Sequence, residues 1–225
     1  ISDLKGDYLY NAGKEYIVIQ KENGGVSSAR NKGIDIASGD FIGFVDGDDT
    51  IEDDMYEMLV KNAIKYDADI SHCGYKVIES NKETFFYNTK QIIVQDRKKG
   101  LVDLFEGTLI EPSLCNKIFR RDIVGNIRLN ESIKINEDLY FNVLLFDRSH
   151  KSIFEDKSKY NYIKRDNSAT TSSLNNIRKV IDPLKVYDMI VDLYKMDTGI
   201  LPYAKKMKIE RNINKELYKE EFEIF

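Results

Sequence analysis

Apolar and polar positions change their period several times along the chain, and the changes mark its elements. Residues 15–20, Glu-Tyr-Ile-Val-Ile-Gln, form a β-branched run that predicts a strand. Residues 21–25 are polar and glycine-rich and read as a turn. A helical pattern then runs over 27–37 and stops at Ser38-Gly39. Residues 41–45 are mostly apolar and have the length of a buried strand. Met55, Leu59 and Ile64 approximate one face of a helix opened by Glu52-Asp53-Asp54, whose charges suit the positive end of a helix dipole. Residues 68–78 predict another strand. Strand, helix, strand, helix, strand at this spacing predicts an α/β fold with a mostly parallel sheet.

The flanking regions are less regular. Residues 2–13 are polar and mixed, end at Gly13 and read as the tail of a helix. Strand-like pieces occur at 84–87, 91–94, 151–155 and 159–164, with helices expected near 97–106 and 137–147. Helical patterns over 176–196, interrupted near Pro183, and over 202–222 suggest an α/β domain of residues 1–173 followed by a helical C-terminal extension, 174–225.

Composition narrows the function classes. At 225 residues the chain can bury a full core, and 42% hydrophobic with 32% charged residues describe an ordinary globular protein. A net charge of −4 gives no argument for nucleic acid. Lys205, Lys206, Lys208, Arg211 and Lys215 cluster near the end, where a solvated helix face is a better reading than a peripheral membrane contact, and the C-terminal helices could contact a membrane, a second subunit or only the core. Cys73 and Cys115 make no disulfide framework and have no zinc-type partners, so they read as reduced thiols of a cytoplasmic protein. No apolar run reaches 18 residues, and the chain opens on Ile1-Ser2, as in a fragment or processed chain.

Chemistry concentrates where the 41–45 strand ends. Asp46, Asp48 and Asp49 are costly neighbours unless a positive charge sits among them. Mg2+ or Mn2+ bridging to a phosphate is one remedy, and ligands of open α/β sheets lie beyond strand carboxyl ends. An acidic turn capping the next helix is the other reading. Upstream, Asn23-Gly24-Gly25 opens a helix carrying Arg30 and Lys32, an arrangement that suits a pyrophosphate. Glu137-Asp138 starts another helix, either as caps or as a general base. Tyr160 and Tyr162 lead into a basic, hydroxyl-rich loop with Lys164, Arg165, Ser168 and Thr170, which could close over phosphates or form a plain edge strand and loop. A phosphatase of the haloacid-dehalogenase type is a rival for residues 41–51, with Asp46 as nucleophile and Asp48 as acid/base. It requires a later Gly-Asp strand end that the sequence lacks, and leaves the other segments unexplained.

The order of these segments resembles the family 2 glycosyltransferases, inverting enzymes with the GT-A fold. Residues 23–33 look like that family's N-x-G-x-x-x-A-R-N-x-G segment, Asp46-Gly47-Asp48-Asp49 like its D-x-D-D motif, and Glu137-Asp138 like its E-D motif. Residues 116–121, Asn-Lys-Ile-Phe-Arg-Arg, are similar to its N-K-L-[FY]-R-R stretch, and 162–168 to its Y-x-x-R-x-x-S stretch. The resemblance implies a mixed sheet flanked by helices. It implies that Asp48 holds Mn2+ or Mg2+ across the donor's two phosphates, with Asp46 and Asp49 at ribose, donor sugar or metal-bound water. Arg30 and Arg165 would lie by the nucleotide, while Asp138 would deprotonate the acceptor hydroxyl, with Glu137 orienting that base or touching the acceptor. The donor would be a nucleotide-diphosphate sugar, a uridine diphosphate sugar first among them. The acceptor would be a glycan or lipid-linked hydroxyl of bacterial surface polysaccharide, handled on the inner face of the membrane. The family's P-V-Y-N and D-D-G-S-x-D segments have no counterpart before Glu15, so the resemblance implies a GT-A fold truncated at its N-terminus by a first strand–helix–strand unit, about 30–50 residues. An inactive fragment that keeps a metal–diphosphate or partner-binding role is the alternative. Leu114-Cys115 also departs from the family, which often carries an aromatic there.

Overall fold

The computed structural model describes residues 7–11, 14–80, 82–86, 88–107, 110–164 and 176–222. Strands β1 (Asp7–Asn11) and β2 (Lys14–Val18) pair antiparallel as a separate two-stranded sheet. Helix α1 (Val26–Ile36) leads to β3 (Phe41–Gly43), β4 (Thr50–Ile51), α2 (Met55–Tyr66) and β5 (Ile70–Glu79). Then come β6 (Lys82–Phe85), β7 (Ile92–Asp96), α3 (Arg97–Glu106), β8 (Lys117–Arg120) and α4 (Arg121–Val124). Helix α5 (Glu137–Arg148), β9 (Lys151–Ile163), α6 (Asn176–Leu193) and α7 (Leu201–Phe222) complete the described chain.

The main sheet runs β3-β8-β5-β9-β4, with β6 on β5 and β7 on β9. It is mixed: β5 and β9 are parallel, and the other pairs are antiparallel. The expectation of a mostly parallel sheet is thus corrected. Strand β8 enters between β3 and β5, and β9 between β5 and β4, so neither strand before α2 ladders with the strand after it. Strand β2 pairs with β1 and not with β3, which also replaces the expected helix tail by a strand over 7–11. The apolar run 41–45 is a short edge strand and not a buried one: only 41–43 ladder, and Val45 is exposed. The pieces 151–155 and 159–164 are one strand, β9, whose register against β5 slips around Gly74.

Alternation along β8 shows how the sheet divides the core. Ile118 joins a cluster with Met55, Leu59 and Ala63 of α2, while Phe119 joins the larger cluster on the opposite face. That larger cluster draws on α3, α5, α6 and α7, so Val186, Ile190, Ala204 and Met207 share one core with Leu101, Leu139 and Phe146. Helix α6 continues through Pro183, where an interruption was expected, because its Val186, Tyr187 and Ile190 stay packed in this core. On α7, Lys208 pairs with Asp188 and Lys206 with Glu210, in keeping with a solvated face. Among the described residues no helix is long and apolar enough to cross a membrane.

Helix α3 is set by its ends and by one close approach. The Asp96 side chain accepts from the Lys99 N–H at 2.8 Å, and Gly107 at φ 64° closes the helix in the left-handed region. A Cβ on Gly100 would lie 2.8 Å from Cδ1 of the buried Phe146 ring on α5. Gly100→Ala is therefore expected to lower stability by about 1–3 kcal/mol despite its better helix propensity. Urea unfolding checks this, and an unchanged midpoint would show that α3 and α5 can separate freely.

Candidate active site

A cleft of about 520 Å³ gathers residues from distant parts of the chain. It is lined by Arg30, Asp46, Asp48, Asp49, Tyr75, Val77, Glu111, Ser113, Asn116, Glu137, Asp138, Tyr160 and Tyr162.

Arg30 is its hinge pin. Gly25, at φ 85°, lets the chain turn into α1. The buried Asn31 then fixes the helix: it donates to the Leu129 carbonyl at 3.0 Å and accepts from the Leu129 N–H at 2.8 Å. This docks α1 on the segment leading into α5, with Arg30 between two acids. Its guanidinium donates to Asp46 at 2.8 Å and to Glu137 at 3.4 Å, and its side chain is only 14% exposed. Asp46 is itself 41% exposed, so salt screens the Arg30–Asp46 pair in part, while the Glu137 contact is shielded on both sides.

The carboxylates after β3 are held by a turn and by β9. The Asp49 N–H donates to the Asp46 carbonyl at 3.1 Å. The Asp49 carboxylate accepts from the Tyr160 hydroxyl at 2.5 Å and from the Ile163 N–H at 2.9 Å. Burial, reinforced by the charges of Asp48 and Asp46, pushes the Asp49 carboxyl up. Glu137 and Asp138 occupy the first turn of α5 after Asn136, which sits at φ 66°. Burial, with Asp138 next to it, raises Glu137 to about 7, and burial also raises Asp138. The Leu139 N–H donates to Asp138 at 2.7 Å.

Beneath the cleft lies a fully buried lysine. Lys117 of β8 donates to the Ser113 carbonyl at 2.7 Å, to Asn116 Oδ1 at 2.6 Å and to the Glu111 carbonyl. Burial lowers its ammonium to about 8, against the opposing pull of Glu111 and Asp138.

Six of the residues expected at a site, Arg30, Asp46, Asp48, Asp49, Glu137 and Asp138, line this one cleft. Arg165 lies outside the described residues, as do Ser168 and Thr170. From the glycine turn and its helix the cleft takes Arg30, on the second turn of α1, and not the turn itself. Tyr75, Val77, Glu111 and Ser113 were not anticipated. Tyr75 and Val77 carried a signal, alternate positions on one strand face, whereas Glu111 sits in a segment without periodicity. Leu114 and Cys115, where the chain departs from the motif, point into the core and are buried.

The donor set suits a hard divalent cation. Asp46, Asp48 and Asp49 crowd one cleft, and their mutual repulsion shows in Asp49. Among the described residues no three His, Cys, Asp or Glu side chains converge as a ready metal cage. A divalent cation would therefore find at most one or two of these carboxylates together and would need other oxygens to complete its shell.

The mixed sheet with helices on both faces, and acids gathered beyond its strand ends, define an α/β protein of the GT-A glycosyltransferase class. The structure overlays on S. aureus TarS 1-349 in complex with UDP-GlcNAc with a TM-score of 0.62 at 17% identity, covering 85% of this chain and 53% of that TarS 1-349 chain. Residues 7–128, more than half of the chain, match Glycosyl transferase family 2, and the chain belongs to that family. The glycosyltransferase EpsJ of Bacillus subtilis is 30% identical over 158 residues, 68% of this chain and 46% of EpsJ. The glycosyltransferase GlyA of Streptococcus pneumoniae is 31% identical over 161 residues, 68% of this chain and 23% of GlyA. The minor teichoic acid biosynthesis protein GgaB of B. subtilis is 26% identical over 165 residues, 73% of this chain and 18% of GgaB. The chain thus spans about half or less of the length of these relatives.

Proposed function

We propose that the cleft is the transfer site of a metal-dependent, inverting glycosyltransferase. It moves a sugar from a nucleotide-diphosphate donor to a hydroxyl of a glycan or lipid-linked acceptor. The observation that carries this reading is the Arg30 bridge, which joins Asp46 of the strand-end acids to Glu137 of the helix-start acids in one cleft. Asp48, with Asp46 or Asp49, would hold Mn2+ or Mg2+; bound there, the cation supplies positive charge against the departing diphosphate. Asp138 takes the proton of the acceptor hydroxyl, whose oxygen then displaces the diphosphate in line at the anomeric carbon. Glu137, tied to Arg30, orients the acceptor side, and Arg30 adds fixed positive charge beside the donor. The TarS complexes with UDP and UDP-GlcNAc support a uridine donor, and the teichoic acid role in GgaB's name supports a bacterial surface polymer as product.

Thermal unfolding with UDP and Mn2+ tests the reading. UDP and Mn2+ together, at about 100 times the dissociation constant, are expected to add about 2.7 kcal/mol and raise the midpoint by several degrees. Asp48→Ala is expected to abolish the Mn2+-dependent part. A wild-type chain that ignores UDP with Mn2+, or an Asp48→Ala chain that responds as fully as wild type, would sink the assignment. Binding without transfer to any acceptor would favour the inactive-fragment reading.

A further inference from the structure

Beside the strand-end acids, the cleft has a wall that the transfer chemistry leaves unused. Strands β5 and β9 run parallel with Tyr75 beside Tyr160 and Val77 beside Tyr162. Positions two apart on a strand face the same side, and all four side chains line the cleft. The Tyr160 hydroxyl is anchored on Asp49, which fixes the inner corner of this patch next to the strand-end acids. At the outer corner the ring of Phe86, 40% exposed, stacks on Tyr75 with centroids 4.6 Å apart and planes 11° from parallel. Neighbouring strands lie about 4.8 Å apart and alternate residues about 7 Å apart, so the patch has the footprint of a single sugar ring.

We propose that Tyr75, Val77 and Tyr162 form an acceptor platform on which the apolar face of one neutral pyranose ring lies, its hydroxyls turned toward Glu111 and Asp138. The proposal rests on the glycosyltransferase reading above and names the chemistry of its acceptor. Two observations select a neutral saccharide. A pyranose has apolar C–H faces and a polar rim, which suits a cleft lined by both tyrosines and carboxylates, with Tyr160 tied to Asp49. Among the described residues the lining also carries Glu111, Glu137 and Asp138 besides the strand-end acids that would face the donor's cation, with Arg30 as its one cation, a balance on the acceptor side that repels an anionic unit. A nucleobase would need the same stacking, and the test separates the two.

The chain contains no tryptophan, so Tyr162→Trp makes a single reporter on the platform. It is titrated with cellotetraose, chitotetraose and maltotetraose, and separately with UDP and Mn2+. The expected result is a saturable emission shift with at least one tetrasaccharide in the absence of nucleotide and metal. In the same background Tyr75→Leu is expected to weaken that binding at least five-fold. Tyr75→Phe, which keeps the ring, is expected to stay within two-fold, and Phe86→Ala, a surface change that spares the fold, is expected to weaken it about two- to three-fold. Emission that responds to UDP with Mn2+ and to no saccharide would overturn the proposal and make the patch a nucleobase wall. No response to any saccharide, or Tyr75→Leu binding as tightly as Tyr75→Phe, would overturn it as well. Saccharide binding in a chain that ignores UDP and Mn2+ would uphold the platform while removing the transfer reading.

Discussion

Asp138→Asn is expected to lower the turnover of sugar transfer by roughly 10²–10⁴-fold, the usual range for losing a general base. The substitution keeps the side-chain shape and the acceptor for the Leu139 N–H, so UDP and Mn2+ binding should stay within about two-fold. Its pH dependence identifies the group. Asp138 faces Arg30, Glu111 and Lys117, and Glu137 faces Arg30, Asp138 and Asp46. Both carboxyls are raised, Glu137 to about 7, and both act in their ionised forms. Wild-type kcat/KM should therefore fall as pH drops below about 7, where Glu137 takes a proton and loosens the second anchor of Arg30, and fall further once Asp138, the base, is itself protonated. Stability changes with pH in the opposite sense. A carboxyl raised in the folded state contributes stability below its unfolded value, and that contribution is lost as pH rises through the folded value. At pH 8 the ionised pair is thus a cost to the fold, and Asp138→Asn should unfold at the same temperature as wild type or higher. Initial rates and thermal unfolding across pH 5.5–9 check both parts. An Asp138→Asn chain keeping more than about a tenth of wild-type turnover would transfer the base role elsewhere, Glu137 first.

The site was more legible than the sheet that carries it, for a physical reason. Asp46, Asp48 and Asp49 crowd one strand end, where like charges are costly, so they stand out without knowledge of topology, whereas Glu137 and Asp138 sit at a helix start that favours acids and read equally well as caps. Arg30 gave no such signal alone; it became meaningful through the segment around it, and only the fold shows it spanning Asp46 and Glu137. Strand order is a non-local property. The pattern for β3, α2 and β5 was visible, yet nothing in those residues says that β8 comes between the two strands. Strand β8 was itself missed, since Asn116-Lys117-Ile118-Phe119-Arg120 offers only two apolar residues among polar ones. Its Ile118 and Phe119 feed opposite cores, which a period-2 pattern with a polar face cannot express. Tyr75, Val77 and Tyr162 show the same limit. Each is an ordinary strand residue, and their common wall exists only because β5 and β9 pair in one register.

Lys117→Met is expected to destabilise the chain by roughly 2–4 kcal/mol, and opposing effects have to be weighed to reach that sign. Deleting the ammonium relieves a buried charge. Its depression from 10.5 to about 8 measures that penalty, on the order of 3 kcal/mol. Against this, methionine of similar volume leaves the carbonyls of Glu111 and Ser113 and the Asn116 amide oxygen without their donor. Each orphaned buried acceptor costs about 1–3 kcal/mol, so the lost hydrogen bonds outweigh the relief. The damage should also reach function. Glu111, Ser113 and Asn116 line the cleft, and the lysine is the tie that gathers them beneath Asp138. Acceptor KM is then expected to rise more than donor KM, since the freed segment lies on the side of the cleft that holds Asp138. Lys117→Arg does not restore the fold, because a planar guanidinium cannot aim at three acceptors arranged around one ammonium. Guanidinium chloride unfolding of the two variants decides the matter. A Lys117→Met midpoint equal to or above that of wild type would mean that burial of the charge dominates, and that the 111–116 segment finds other partners.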